Sequence, residues 1–202
     1  MKFKELTRLF EAAFDPSDYN TIPAKKEVTL IVGRFQPFHN GHASLIKQAK
    51  YPIIIGLVKG KKSSEDKVKN PLDFDLQKNV IDKAKISQIL DVVKVESAFI
   101  PSIISMLRDE GYEVKEVMAG TDRINSYRGM IKTYGPKINA PNVIVKELVR
   151  NDDDEGIAGI SATKVRNAIK AGDFDTAKKM MLNLDQSLFK KLQKALKWNL
   201  KN

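Results

Sequence analysis

Two clusters of residues in this 202-residue chain could do chemistry. The first is the pair His39 and His42, the only histidines, which bracket Gly41 in the run GRFQPFHNGH from Gly33 to His42. The apolar run Val28 to Val32 ends just before it, and Ala43, Leu45, Ile46 and Ala49 recur at helical spacing after it, so the histidines fall at a loop-to-helix junction. Free backbone N–H groups and the positive end of the helix dipole favour an anion at such a junction, and a phosphate fits. Capping and packing would also account for two histidines near a helix start. The second cluster is Ser161, Lys164 and Arg166 in GISATKVRNAIKAGD, Gly159 to Asp173. Ser161 is placed as an N-cap, Ala162, Val165 and Ile169 as a buried stripe and Gly172 as a C-cap, which puts a hydroxyl and two cations at a helix amino end. These groups would hold phosphate oxygens, or would cap the helix and meet solvent.

The elements that must position these clusters alternate. Strands are expected at Val28–Val32, Tyr51–Val58, Ile89–Val95, Glu113–Met118 and Asn142–Leu148. Helices are expected from Asn40, at Phe74–Lys85, Ile100–Gly111 and Ser126–Tyr134, and within Gly159–Asp173 between the Ser161 and Gly172 caps. Two more come after Asp173, the last with Leu188, Phe189, Leu192, Ala195, Leu196 and Leu200 on one face, and Trp198 reads as packing. Tyr51–Val58 is continuously apolar, as a strand buried on both faces of a parallel sheet would be. Right-handed crossovers then give an α/β fold, a Rossmann-like doubly wound parallel sheet in three α/β/α layers, with ligands at the carboxyl ends of the strands. By that rule the lysine-rich loop Lys59–Asn70 and the segment Gly120–Arg123 border a site, although Asp122 could merely pair with Arg123 or cap the next helix. The acids Asp152–Glu155 read as a solvated loop, because contiguous carboxylates cannot all face one ion. Gly56–Ser63 lacks the spacing of a P-loop.

Composition sets the outer limits. The main domain is assigned to residues 28–202, and residues 1–27 to an appended amphipathic helix, Met1–Phe14, and a proline-containing linker. A chain with 42% hydrophobic and 30% charged residues reads as soluble and globular, and no apolar run approaches the ~18 residues of a membrane span. The lack of cysteine excludes disulfides, thiolate catalysis and cysteine-ligated zinc, and with no secretory h-region it leads us to expect a cytoplasmic location. The net charge of +10 is spread over scattered lysines without interleaved aromatics, so it is read as attraction for polyanionic nucleotides and not for nucleic acid.

The HxGH motif preceded by GRFQPF resembles the nucleotidylyltransferase superfamily, most closely the archaeal-type nicotinamide-nucleotide adenylyltransferases. The resemblance covers most of Val28–Leu200: Asn70–Asp73 is similar to that family's Asn-Pro-Phe-Thr segment, Ser161–Arg166 to its Ile-Ser-x-x-x-x-Arg signature, and the last helix to its terminal helix. Gly120–Arg123 is similar to a pattern of phage-encoded cytidylyltransferase-like proteins. The resemblance implies attack by an acceptor's phosphate oxygen on the α-phosphorus of a nucleoside triphosphate, with pyrophosphate leaving, a reaction catalysed by positioning and charge stabilisation. It implies catalytic roles for His39, His42 and Arg166, nucleotide contacts from Gly33, Arg34, Phe35, Gly41, Ser161, Thr163 and Lys164, and acceptor contacts from Phe99, Gly120, Asp122 and Arg123. No metal ligands of the chain's own are implied; Mg²⁺ comes with the nucleotide. ATP with nicotinamide mononucleotide is the first expectation for the substrates, and CTP with another small phosphate acceptor is the alternative. The chain departs from the family at its expected arginine, where Gln77 and Lys78 occupy the region, and at its base-recognising asparagine, replaced near Gly120–Asp122. Met1–Phe14 resembles the cleavable capsid-targeting peptides of large tailed bacteriophages, with Leu9, Phe10 and Glu11 as a Leu-x-Glu site. That likeness admits capsid association, a non-enzymatic phage internal protein, and a place in the host cytoplasm or the virion; a homo-oligomer is also admitted.

Overall fold

The computed structural model describes residues 25–60, 70–149 and 159–198. Strands β1 (Lys26–Gly33), β2 (Ile53–Val58), β3 (Ile89–Val95), β4 (Tyr112–Ala119) and β5 (Ile144–Glu147) form one parallel sheet in the order β3-β2-β1-β4-β5. Helices α1 (Asn40–Ile46), α2 (Phe74–Ala84), α3 (Ile100–Asp109) and α4 (Ile124–Tyr134) make the crossovers, and α5 (Ala162–Ala171), α6 (Phe174–Met180) and α7 (Gln186–Trp198) close the described chain. This is the expected Rossmann-like sheet. The amphipathic segment Met1–Phe14, residues 61–69 of the lysine-rich loop and the acids Asp152–Glu155 lie outside the described residues.

Strand alternation assigns the helices to layers. In β1, Val28 and Leu30 face α3 and α4, while Ile31 faces the opposite side; in β2, Ile54 joins the first layer and Ile53, Ile55 and Leu57 the second. The second layer receives Ala43 and Ile46 of α1, Val80 and Ile81 of α2, Val165 and Ile169 of α5, and Leu188, Phe189, Leu192 and Leu196 of α7. Burying one such side chain is worth about 1.5–3 kcal/mol, so the carboxyl-terminal helices hold α5 firmly on the sheet. The buried polar pair of the sheet is satisfied: Glu116 Oε1 accepts from the Thr29 hydroxyl at 3.0 Å and from the Lys50 N–H at 3.3 Å, tying the α1–β2 connection to β4.

The element edges differ from the expected ones by a residue or two, each for a local reason. Tyr51 and Pro52 precede β2, yet the Pro52 carbonyl accepts from the Thr29 N–H at 2.9 Å, so the sheet is already engaged there. Helix α4 starts at Ile124, not Ser126, because the Gly120 carbonyl accepts from both Arg123 and Ile124 and turns the chain into the helix. In α5 the buried stripe is Val165, Ala168 and Ile169, whereas Ala162 is partly exposed. Among the described residues no helix is long and apolar enough to cross a membrane.

Leu192 is fully buried at the centre of the layer that carries α5. Leu192→Ala is expected to lower unfolding free energy by about 2–5 kcal/mol in urea denaturation. A loss below about 0.5 kcal/mol would show that α7 is not part of this core.

Candidate functional site

Beyond the carboxyl ends of the strands lies a cleft of about 1160 Å³. The register brings the strand ends level, Gly33 opposite Leu57 and Val58 opposite Val95, and the residues just past those ends form the walls: Arg34, Phe35 and Gln36 after β1, Gly60 after β2, Glu96, Ser97 and Ala98 after β3, and Gly120, Asp122 and Arg123 after β4. Ala162, Thr163 and Arg166 of α5 close it. Its centre is the place where β1 has β2 on one side and β4 on the other, the switch point at which open α/β sheets bind ligands.

The histidines adjoin that point in a fixed arrangement, with His42 lining the cleft and His39 buried behind its lining. His39 is the N-cap of α1 in extended conformation, and its Nδ1 accepts from the Gly41 N–H at 3.1 Å, while His42 Nδ1 accepts from the His39 N–H at 3.3 Å. This is a reciprocal capping box built from two imidazoles. Both readings of the pair therefore meet: the rings cap the helix through Nδ1, and the hydrogen-bond network assigns each ring proton to Nε2, a donor suited to phosphate oxygen. The ring centroids are 3.9 Å apart, with Phe35 edge-on to His42 at 4.9 Å and Phe38 stacked on it at 5.5 Å. His39 is buried and His42 half-buried, and His42 lines the cleft. Gly41 has a packing reason: a Cβ there would sit 3.1 Å from His39 Nδ1, crowding the cap.

The loop into α1 is held from several sides. Phe35 adopts a left-handed φ of 43°, which lays its ring over Gly33, where a Cβ would fall 2.8 Å from ring Cε2. Buried Gln36 pairs with Leu72 as a strand would, donating to its carbonyl at 3.0 Å and accepting from its N–H at 2.9 Å. Gln77, the residue standing near the family's expected arginine, is buried beneath the loop and donates to the carbonyls of Arg34 and Phe35. Lys78 instead pairs at the surface with Asp82 and Asp91.

Arg166 reaches across from α5. Its guanidinium donates to the Gln36 carbonyl at 2.7 Å and the Thr163 hydroxyl at 3.1 Å, and burial together with the nearby Arg34 cation lowers its pKa from the ordinary value. Among the described residues neither arginine has a carboxylate partner. Two cations lining one space, with no carboxylate partner among the described residues, make an arrangement that a polyanion relieves. Ser161 caps α5, its hydroxyl accepting from the Lys164 N–H at 3.3 Å, and the Lys164 ammonium lies over Gly159; neither lines the cleft.

On the opposite wall Asp122 pairs with Arg123 at 3.4 Å and does not cap α4, which has no side-chain cap. Phe99 stands outside the wall: its ring is edge-on to Tyr134 at 5.3 Å, and neighbouring Ile100 is fully buried in the core. The wall after β3 is Glu96, Ser97 and Ala98, residues the motifs do not single out but which position after a strand end would have found. Gln36, inside the GRFQPF run but given no role there, and Tyr127 also line the cleft; burial raises the Tyr127 pKa, so its phenol stays a neutral donor. Among the described residues no group of three or more His, Asp or Glu side chains could hold a metal ion.

Gly33→Ala is expected to push the buried Phe35 ring off its seat, costing about 1–3 kcal/mol of stability. Combining it with Phe35→Leu should remove most of that additional cost, so a denaturation double-mutant cycle should be non-additive. Additive losses would show that the contact is not what requires glycine.

The comparisons with known proteins agree with this architecture. The Plasmodium falciparum nicotinic acid mononucleotide adenylyltransferase complexed with APC superposes with a TM-score of 0.52 at 13% identity, covering 88% of this chain and 98% of its own. The same enzyme complexed with NaAD gives 0.51 at 14%, over 87% and 97%. A Vibrio parahaemolyticus protein provisionally assigned as a nicotinate-nucleotide adenylyltransferase gives 0.52 at 13%, over 83% and 98%. At such identities the similarity is one of fold. No curated protein matches the chain in sequence. The cytidylyltransferase-like family model, however, matches residues 30–168, from β1 through the Ser161–Arg166 helix, and the chain belongs to that family within the HxGH nucleotidyltransferase superfamily.

Proposed function

We propose that the chain transfers a nucleotidyl group from a nucleoside triphosphate to a phosphorylated small molecule, with ATP and nicotinamide mononucleotide as substrates and NAD and pyrophosphate as products. Family membership supports nucleotidyl transfer, and the observation that carries the site is the Arg34–Arg166 pair, which faces the cleft beside His42 without a carboxylate partner among the described residues. On this reading the acceptor's phosphate oxygen bonds to the α-phosphorus as the bond from that phosphorus to the bridging oxygen breaks, and the electron pair leaves with pyrophosphate. Arg34 and Arg166 neutralise the charge growing on the leaving group, and the Nε2–H groups of His39 and His42 donate to phosphate oxygens. Mg²⁺ is taken to arrive on the triphosphate as part of the substrate. The acceptor would lie along Glu96–Ala98 and Asp122–Arg123, the remaining wall of the cleft.

One observation favours a second reading, CTP with a different phosphate acceptor. The aromatic face that a nicotinamide ring would stack on is turned away, because Phe99 packs on Tyr134. The products separate the two: incubation with ATP, Mg²⁺ and nicotinamide mononucleotide should yield NAD, and chromatography showing none, with CTP consumed beside another phosphate acceptor, would overturn the adenylyl assignment. His42→Ala should lower turnover about a hundredfold to a thousandfold with the fold intact. Near-normal turnover at saturating substrate would remove His42 from the chemistry. Arg166→Lys should weaken triphosphate binding, since an ammonium cannot copy the guanidinium fork; equal affinity by calorimetry would take Arg166 out of the site.

A further inference from the structure

Gln77 belongs to α2 and is only 1% exposed, yet it carries a fully polar side chain into a layer otherwise made of Val80, Ile81 and Leu72. Its amide nitrogen donates to two consecutive carbonyls, those of Arg34 and Phe35, the latter at 2.9 Å. The opposite amide orientation would set an oxygen against both carbonyls, so the donor assignment follows from the network. Its own oxygen has no partner among the described residues, a cost that marks the donated bonds as what the position retains. Those bonds fall at the one place in the loop where the backbone is left-handed, Phe35 with φ 43°. Reversing one carbonyl there would reorient Arg34, which lines the cleft together with Arg166, and lift the Phe35 ring from His42, 4.9 Å away.

We propose that Gln77 is the positioning residue of the phosphate site, holding the backbone of residues 34 and 35 so that Arg34 faces Arg166 across the cleft. It takes no part in contacting the ligand, because the loop lies between it and the cleft. This rests on the reading of the cleft as a triphosphate site.

The test is calorimetry with inorganic tripolyphosphate on the full chain, in a double-mutant cycle of Gln77→Met and Arg34→Ala. Gln77→Met keeps the volume and loses the donor; it should weaken tripolyphosphate binding about tenfold in the wild-type background and less than about twofold once Arg34 is gone. A general loosening of the fold would weaken binding equally in both backgrounds, and that result, or unchanged affinity in Gln77→Met, overturns the proposal while leaving the phosphate site standing. Wild-type protein that binds no tripolyphosphate overturns the site and the proposal together. If Gln77→Met does not fold, Gln77→Glu supplies the same test. Its carboxylate repels the two carbonyls when ionised and regains one donor when protonated; burial beside those carbonyls raises its pKa above the ordinary carboxylate range, so its affinity relative to wild type should recover as pH falls from about 9 to about 5. A flat ratio across that range counts against the proposal.

Discussion

Strand β1 lies between β2 and β4, and the chain must leave it toward one neighbour and return, two strands later, on its other side. Because crossovers of one hand put a change of direction on the opposite face, α1 and α2 cover one side of the sheet while α3 and α4 cover the other. No connection then bridges the carboxyl ends of β1 and β4. The cleft is the space those two departures leave, and the residues just past Gly33, Val95 and Ala119 meet there for that reason.

Within that space a short apolar and amide scaffold turns a loop into a ligand surface. Phe35 and Phe38 grip the His42 ring, the two imidazoles cap α1 through Nδ1, and Gln36 and Gln77 hold the backbone from below. The core packing of α5 against α7 brings Arg166 to the Gln36 carbonyl, joining residues 130 positions apart in sequence. Positive charge is thus gathered by packing on a surface whose rigidity comes from neutral groups. Such preorganisation suits a reaction in which the protein mainly positions phosphates and stabilises charge.

Much of this was legible in the residues. Periodicity located the five strands and helices α2, α3 and α4 to within about two residues, and His39, His42, Ser161 and Arg166 stand at the two helix starts expected of them. Strand order, in contrast, is set by long-range pairing that no local pattern encodes. Gln77 stands in the region where the resemblance expects an arginine, and the sequence leaves its role open because its partners lie 42 and 43 residues away. Phe99, near the start of α3, is expected as an acceptor contact by the resemblance, but its ring packs on Tyr134 of the neighbouring helix, a partner the sequence does not announce. Gly41 and Gly33 are expected as nucleotide contacts, and the structure adds that each makes room for an aromatic side chain of its own loop.

With only two histidines in the chain, their ring resonances report the site without interference. Long-range nitrogen–proton NMR of the uniformly labelled protein, titrated with the magnesium–triphosphate complex, tests the account most directly. The account predicts Nε2-protonated rings with unprotonated Nδ1 in the free protein, and saturable shifts of both Cε1–H signals as the nucleotide binds. Rings protonated on Nδ1, or nucleotide binding that leaves both signals unmoved, would contradict it.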